Sequence, residues 1–582
     1  VNDAFVRPLP LGATFKAGGT TFRFWAPALD AVELEIKGEA PRPMERDEEG
    51  WFALTVDVPA QARYRYRLPD GLAVPDPASR FQDGDVHGWS VLVDPLGYRW
   101  ITGDWEGRPW REAVLYELHV GCFGGFRGVA AALQGLKDIG VTAIQLMPIW
   151  DFPGARNWGY DGVLPYAPDA AYGTPEELKA LVDRAHELGL MMFLDVVYNH
   201  FGPDGNYIGA YAPPAFREDV HTPWGGAIDF RLPEVRSYFT ENVLYWLIEY
   251  RFDGLRFDAV HAIQEQDWID EMAAAVRSNH ELRDRRVHLV LENEHNEQSH
   301  LAGDVDAQWN DDFHHVFHVL LTGEREGYYE DFSEGTAEKL ARCLKDGFVF
   351  QGERMAHIDG PRGTPSGHLP PKAFVSFLQN HDQVGNRAFG DRLTTLAPPG
   401  GVEAATAAQL LCPQIPMIFM GEEVASETPF LFFTDFQDEL ADAVREGRRK
   451  EFSKFAAFAG EEIPDPNAVS TFEASIPQPH PIRAKERTAL FRRLLAIRAA
   501  EISSREALPE ADAQAIGPKA VRATWNFDDG ARLTLAFNLA DAPVDVAPIE
   551  GTLLYESAPG AADALRAGKL EGFSTIALMD RA

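Results

Sequence analysis

The sequence predicts an α/β protein, a (β/α)8 barrel flanked by an N-terminal and a C-terminal β-sandwich. Three observations carry that expectation. The first 95 residues alternate polar and apolar positions with period two, and from Val114 short apolar runs alternate with amphipathic helical patterns until eight strand candidates have accumulated. After residue 502 the period returns to two. Period two between turn residues marks half-buried antiparallel strands, whereas apolar strands alternating with helices mark parallel βαβ units. A chain of 582 residues exceeds one hydrophobic core, and the expected domains are 1–95, 96–502 and 503–582.

Taken in order, TFRFWAP (21–27), AVELEI (31–36) and RYRYRL (63–68) read as sandwich strands, and the Pro- and Gly-rich passage 72–97 reads as a packed connector. The barrel candidates are 113–120, 141–149, 190–197, 253–258, 287–292, 373–380 and 416–421, with a weaker one at 307–311. Helical patterns lie between them at 129–140 and 235–250. The best signalled helix follows Thr174, an N-cap residue with Pro175 at the first helical position, Glu177 placed for a capping box and Gly189 after the last turn. Its Leu178, Leu181, Val182, Ala185 and Leu188 share one face, so it should cover a sheet. Residues 190–197 are apolar but for Asp195, as a parallel strand buried on both faces requires. Eight strands with helices over roughly 390 residues suit an elaborated barrel. An open doubly wound sheet is the alternative, weakened because no Gly-rich phosphate loop follows the first strand. Beyond the helical segment 487–502, ATWNF (523–527), a turn at Asp528, Asp529 and Gly530, and ARLTLAFNL (531–539) read as a hairpin of the C-terminal sandwich.

Composition narrows the classes of partner. Hydrophobic residues make up 45% and charged residues 25%, the balance of a soluble globular chain. The formal net charge of −35 repels phosphate backbones and anionic head groups, so neither nucleic acid nor membrane is expected, while a neutral ligand is easily accommodated. Cys122, Cys343 and Cys412 are too few, and odd in number, for a disulfide framework. The first residues lack the basic-then-apolar pattern of a signal peptide, and no apolar stretch approaches the ~20 residues of a membrane helix, so a cytoplasmic location is expected.

Four segments concentrate polar residues where an apolar run stops: DVVYNH (195–200), GLRFDAVH (254–261), VLENEH (290–295) and FLQNHD (377–382). In a barrel the C-terminal strand ends face the site, which would bring Asp258, Glu292 and Asp382 together. Any one of them alone is more simply a strand-end acid capping the next turn. Three, each beside a basic or amide neighbour (Arg256 and His261; Asn293 and His295; Asn380 and His381), point to a catalytic cluster. Carboxylates among amides and imidazoles suit cleavage of a glycosidic bond, which needs an acid, a nucleophile and a dense hydrogen-bond lining. Arg256 lies two residues before Asp258, on the same strand face, and can hold that carboxylate ionised. Glu292 and Glu294 share strand parity, so alternation does not separate them. Asp195 and Asn199 are read as braces of the barrel and its loop. His314 and His318 have the i, i+4 spacing of a metal pair, but no HExxH acid lies between them. The run WNDDFHHVFH (309–318) is therefore read as part of a substrate channel, contributing Asp311, Asp312 and His314. No oxygen-ligand loop is present in the pattern, so neither metal nor cofactor is expected.

The four motifs resemble those of glycoside hydrolase family 13, the α-amylase family, and the resemblance covers nearly the whole chain. It implies a retaining hydrolase with two carboxyl groups about 5 Å apart. Asp258 would be the nucleophile, and Glu292, which directly follows VHLVL as the family acid does, the acid and base. Asp382 would bind sugar hydroxyls and distort the ring. By the same resemblance His200 and His381 donate hydrogen bonds to the sugar, with Asn380 and Gln383 alongside and His261 and Arg256 lining the site. Tyr160, in NWGYDG (157–162), would stack on the reacting sugar. Two departures stand out: GCFGGFRG (121–128) is shorter and more Gly-rich than the family's usual first loop, and Phe257 replaces an aliphatic residue.

Within the family, RNWGYDGV (156–163), VVYNHFGPDGNYIGAYAP (196–213), HTPWGGAIDF (221–230), AQWNDDFHH (307–315) and TPFLFFTDF (428–436) resemble loops of members acting on maltooligosyltrehalose. The implied reaction is hydrolysis of the α-1,4 bond next to the terminal trehalose. A pathway neighbour, maltooligosyltrehalose synthase, would make the substrate without forming a physical complex. The N-terminal sandwich resembles the family's glycan-binding-like domain. One alternative is a glycogen-branching transferase, which shares the motifs but lets a glucan 6-hydroxyl attack in place of water. The other is a non-catalytic glucan-binding protein, which has no need for all three acids.

Overall fold

The computed structural model describes residues 5–452 and 462–581. Eight parallel strands close into a barrel in chain order: β1 (Leu115–Leu118), β2 (Ala143–Leu146), β3 (Met191–Val197), β4 (Gly254–Asp258), β5 (His288–Leu291), β6 (Ala307–Trp309), β7 (Phe374–Ser376) and β8 (Ile415–Phe419), which pairs back onto β1. These are the eight candidates read from the sequence, the weak one at 307–311 included.

Strand alternation divides the barrel interior into two layers. Leu115, Ala143, Met191, Phe193, Val290, Ala307, Trp309, Val375, Ile415 and Met417 pack into one apolar core. Further along β1 to β4 the same parity carries Glu117, Gln145, Asp195 and Arg256, all without exposed surface. Glu117 stands opposite Gln145 and Asp195 opposite Arg256 in the ladder. Below this polar layer, Gly254 faces Phe193, and a Cβ there would lie 2.1 Å from the ring. Only glycine lets β4 close against β3 at that point.

The main helices are α1 (Gly125–Ile139), α2 (Pro175–Glu187), α3 (Pro233–Ile248), α4 (Asp267–Ser278), α5 (Asp311–Thr322), α6 (Thr336–Asp346), α7 (His381–Gly385), α8 (Pro399–Leu411) and α9 (Ala484–Ile497). The capping box of α2 forms as expected: Glu177 N donates to Thr174 Oγ1 at 3.2 Å and Thr174 N to Glu177 Oε2 at 3.0 Å. Leu178, Leu181, Val182 and Ala185 are buried in the shell between helices and strands.

At the N-terminal end, a four-stranded and a six-stranded sheet enclose Phe22, Phe24, Leu34, Phe52, Tyr64 and Tyr66. The passage 72–97 is more than a connector. Ala73–Val74, Gln82–Asp83 and Trp89–Val91 add strands to the six-stranded sheet, in pieces too short for a period-two pattern to show. At the C-terminal end, Ala507–Gly517, Ala520–Phe527, Arg532–Asn538, Ser574–Asp580 and Leu553–Glu556 form a five-stranded sheet, accompanied by the pair Val544–Asp545 and Lys569–Leu570. The hairpin expected at 523–539 forms its centre, with Thr524 opposite Thr534. Among the described residues no helix is long and apolar enough to cross a membrane, and Cys122, Cys343 and Cys412 are buried and not joined by disulfides.

The end of the barrel remote from the polar layer has its own anchor. Asp253, just before β4, is fully buried and accepts from Met192 N at 2.9 Å, Trp105 Nε1 at 2.8 Å and His186 Nε2 at 2.8 Å, with Arg285 at 3.3 Å. Burial works to raise its pKa, but His186 and Arg285 outweigh it and hold the carboxyl down at about 2. Asp253→Ala strands these donors without an acceptor and should cost about 3–5 kcal/mol. The measurement is a lower midpoint of thermal or urea unfolding, with turnover per folded molecule unchanged; an unaltered midpoint would rule out the anchor.

Candidate active site

The polar layer is organised around one cation. Arg256 Nη1 lies 2.9 Å from both oxygens of Asp195 and 2.8 Å from Asp258 Oδ1, while Nη2 lies 3.2 Å from Glu292 Oε2. The guanidinium has no exposed surface and sits 4.0 Å over the Trp309 ring. Three carboxylates therefore share one positive charge. Burial drives the Asp258 carboxyl well above its usual range, with Arg256 pulling it down and Glu292, Asp195 and Asp382 pushing it up. Arg256, in direct contact, favours the ionised form of Asp258, while burial and the neighbouring acids oppose it. Burial likewise raises Asp195 to about 6 against the pull of Arg256 and Tyr160.

The two glutamates that parity could not separate are separated by geometry. Both lie beyond Leu291, the last residue of β5. Glu292 turns back to Arg256 and accepts from Ala259 N at 2.6 Å. Glu294 is exposed and meets His261 Nε2 at 3.4 Å. Ala259 presents its N–H because its φ is 40°, the left-handed region that a residue with a Cβ enters at a cost of about 1–3 kcal/mol. This strained turn directly follows Asp258 and couples the ends of β4 and β5.

On the opposite side, His381 and Asp382 open α7, the short helix after β7. Asn380 caps it, accepting from Gln383 N at 2.9 Å, so its side-chain oxygen serves the helix rather than a sugar. His381 donates from its main-chain N to Glu117 Oε2 at 3.0 Å and from Nδ1 to Glu117 Oε1 at 2.6 Å; its Nε2 lies 3.4 Å from Asp382 Oδ2. Burial works to deprotonate this imidazole, but Asp382 and Glu117 outweigh it and lift its pKa to about 9. Burial also raises the Asp382 carboxyl, with His381 opposing. The Tyr160 ring stacks on His381 at 5.0 Å and 21°, and its hydroxyl donates to Asp195 Oδ2 at 2.6 Å.

His200 differs from the role the resemblance implies. Its Nε2 is 2.8 Å from the Tyr160 carbonyl, which can only accept, so Nε2 carries the proton. Burial pushes the ring down to about 4. The neutral ring therefore offers Nδ1, buried and without a protein partner, as an acceptor rather than a donor. Trp224, 49% exposed at the tip of the hairpin formed by Phe216–Thr222 and Gly225–Ile228, stacks on it at 4.2 Å.

The WNDDFHHVFH run divides between the site and the core. Asp311 is half-buried at the start of α5, and burial together with the Glu292 charge raises its carboxyl well above the usual range. Asp312 and His314 are engaged with protein partners. Asp312 is buried and accepts from Asn296 Nδ2 at 3.1 Å, Val349 N at 2.8 Å and Arg362 Nη1 at 2.5 Å. His314 spends Nδ1 on the Leu378 carbonyl at 2.5 Å and Nε2 on the Tyr329 hydroxyl at 2.8 Å. Both oxygens of the one and both ring nitrogens of the other thus have protein partners. His261 accepts at Nδ1 from Glu294 N at 3.2 Å, and Gln383 is half-buried in the first turn of α7. Sequence reasoning missed Glu117 and Ala259. The first had a signal, a lone acid inside the apolar run of β1; the second had none. Among the described residues no group of three or more His, Cys, Asp or Glu side chains is arranged to hold a metal ion.

A model of the alpha amylase catalytic domain matches residues 77–213, and one of a domain of unknown function matches 510–573. The malto-oligosyltrehalose trehalohydrolase of Deinococcus radiodurans is 44% identical over 473 residues, which cover 80% of this chain and 77% of the relative. That of Saccharolobus solfataricus is 42% identical over 485 residues, covering 80% and 83%. A 1,4-alpha-glucan branching enzyme of Mycobacterium tuberculosis is 33% identical over 277 residues, only 43% of this chain and 38% of the relative. A crystal structure from Salmonella typhimurium, 42% identical, superposes with a TM-score of 0.94 over 99% of this chain and 100% of that one. The chain belongs to the malto-oligosyltrehalose trehalohydrolase family, within the α-amylase family of glycoside hydrolases.

Proposed function

We propose that this protein hydrolyses the α-1,4 bond next to the terminal trehalose of maltooligosyltrehalose, releasing trehalose and a maltooligosaccharide. The observation that carries the chemistry is the pair Asp258 and Glu292 set on one buried guanidinium at the mouth of the barrel. Bridging by a single side chain favours the short separation of about 5 Å that a retaining mechanism uses. In this reading residues 96–502 form the catalytic unit and 1–95 and 503–582 flank it.

Asp258 attacks the anomeric carbon while Glu292 passes its proton to the glycosidic oxygen, and trehalose leaves. The maltooligosyl ester on Asp258 is then displaced by water, whose proton returns to Glu292, and configuration is retained. Asp382 and the protonated His381 bind hydroxyls of the sugar being cleaved, His200 accepts from another through Nδ1, and Tyr160 presents a ring face to the pyranose. Arg256 is a positive counterpart to the acids throughout. The substrate would come from a maltooligosyltrehalose synthase, with no physical complex implied. The partial extent of the branching-enzyme match is what favours water over a glucan hydroxyl as the acceptor.

Two experiments test this reading. Incubation with maltotriosyltrehalose should yield trehalose and maltotriose, and amylose should gain no α-1,6 branches; branches without trehalose release would replace hydrolysis by transfer. Asp258→Asn and Glu292→Gln should each lower kcat on maltotriosyltrehalose by at least about 10³-fold with the fold intact. Glu294→Gln should keep most of the activity. Should Glu294→Gln be the dead variant and Glu292→Gln the live one, the acid has been assigned to the wrong residue.

A further inference from the structure

We propose that Glu117 is a positioning residue for the reaction: it holds His381 so that a proton on Nε2 is presented to the sugar and to Asp382. This rests on the assignment of His381 and Asp382 to the sugar-binding side of the site. Glu117 lies on β1 with the inward parity of Leu115 and has no exposed surface. Both its oxygens are spent on one residue, the main-chain N–H of His381 at 3.0 Å and the Nδ1–H at 2.6 Å. The first bond ties β1 to the start of α7; the second fixes the rotation of the ring.

A carboxylate only accepts, so Nδ1 carries a proton, and the question is whether Nε2 carries one too. In a neutral ring Nε2 would be a lone pair facing the carboxylate of Asp382 at 3.4 Å. In the imidazolium it is a donor, and it is a donor in reserve, because Nε2 is buried and has no protein hydrogen-bond partner. The groups facing His381 from the other elements are few. Arg256 on β4 opposes its charge and Asp195 on β3 favours it, while His119, after β1, is kept neutral by burial, down at about 4. The rings around it are Tyr160, Trp158 in a T-shaped contact at 5.7 Å and Trp309 at 6.1 Å. Glu117 and Asp382 thus hold the cation between them, and Glu117 is the one that also fixes its orientation.

Glu117→Gln keeps the size and removes the charge. His381 is protonated below about 9 in the native protein, and donation from Nε2 is lost as pH rises through that value. Without Glu117 the value falls, so the basic limb of the kcat/KM profile should move to lower pH by about 2–3 units, and activity at pH 8 should drop about tenfold or more. In a His381→Ala background the same change should add little further loss. Nitrogen NMR of labelled histidine should find His381 doubly protonated in the native protein at pH 7.5 and singly protonated in the variant. An unshifted profile, or a neutral His381 in the native protein, would overturn the proposal, and the second readout needs no variant to fold. If the native protein releases no trehalose from maltotriosyltrehalose, the reaction assigned above fails, while the NMR comparison still decides the role of Glu117.

Discussion

The site depends on one guanidinium that has no access to water. Arg256 is fully buried and faces three carboxylates, from β3, from the end of β4 and from just past β5. Burying that charge alone would be prohibitive, and burying the three acids without it equally so. The cluster is stable only as a set, which is why its members sit on three adjacent strands whose registers are fixed by the ladder, Asp195 opposite Arg256 and Arg256 opposite Val290. Two surplus negative charges are left over. Burial raises the carboxyl pKa of both Asp195 and Asp258; at Asp258 the neighbouring acids add to the rise, and Arg256 opposes it at both.

The barrel supplies this cluster through simple strand parity. One set of inward positions is apolar at one level and polar at the next, so the core that stabilises the fold ends where the chemistry begins. β4 and the residue on either side of it condense the arrangement into seven residues. Asp253 anchors the remote end, Gly254 admits Phe193, Arg256 centres the polar layer, Asp258 faces the site, and Ala259 takes the strained turn that aims its N–H at Glu292. Strain beside the nucleophile persists because the Glu292 bond and the packing of β4 leave the turn no alternative.

Much of this was legible in the sequence. Eight apolar runs with helices between them declare the barrel, and three acids at run ends declare the site, because periodicity and burial are local properties. Two kinds of fact were not local. The partner of a buried polar group depends on register across strands 264 residues apart, so the bond from His381 to Glu117 had no sequence signature beyond an acid in an apolar run. The commitment of a residue depends on what else reaches it. Asp312 and His314 have the composition of a binding run, yet Arg362, Val349, Leu378 and Tyr329, distant in sequence, engage both oxygens of the one and both ring nitrogens of the other. The short strands within 72–97 were hidden for a third reason, since two or three residues cannot display a period.

Two histidines beside the same cluster illustrate how environment assigns chemistry to identical side chains. His200 meets a carbonyl, which asks for one proton on the ring and supplies no charge, so burial wins and the ring stays neutral with an acceptor free. His381 meets two carboxylates, which outweigh a comparable burial and keep both nitrogens protonated. A hydroxyl can donate to the first and accept from the second. A sugar held between an acceptor and a cationic donor is oriented by polarity as well as by shape, which a pair of neutral imidazoles with interchangeable tautomers could not enforce. For His200 the choice is made outside its motif, by the Tyr160 main chain, and for His381 it is shared between Asp382 in the same motif and Glu117 on β1.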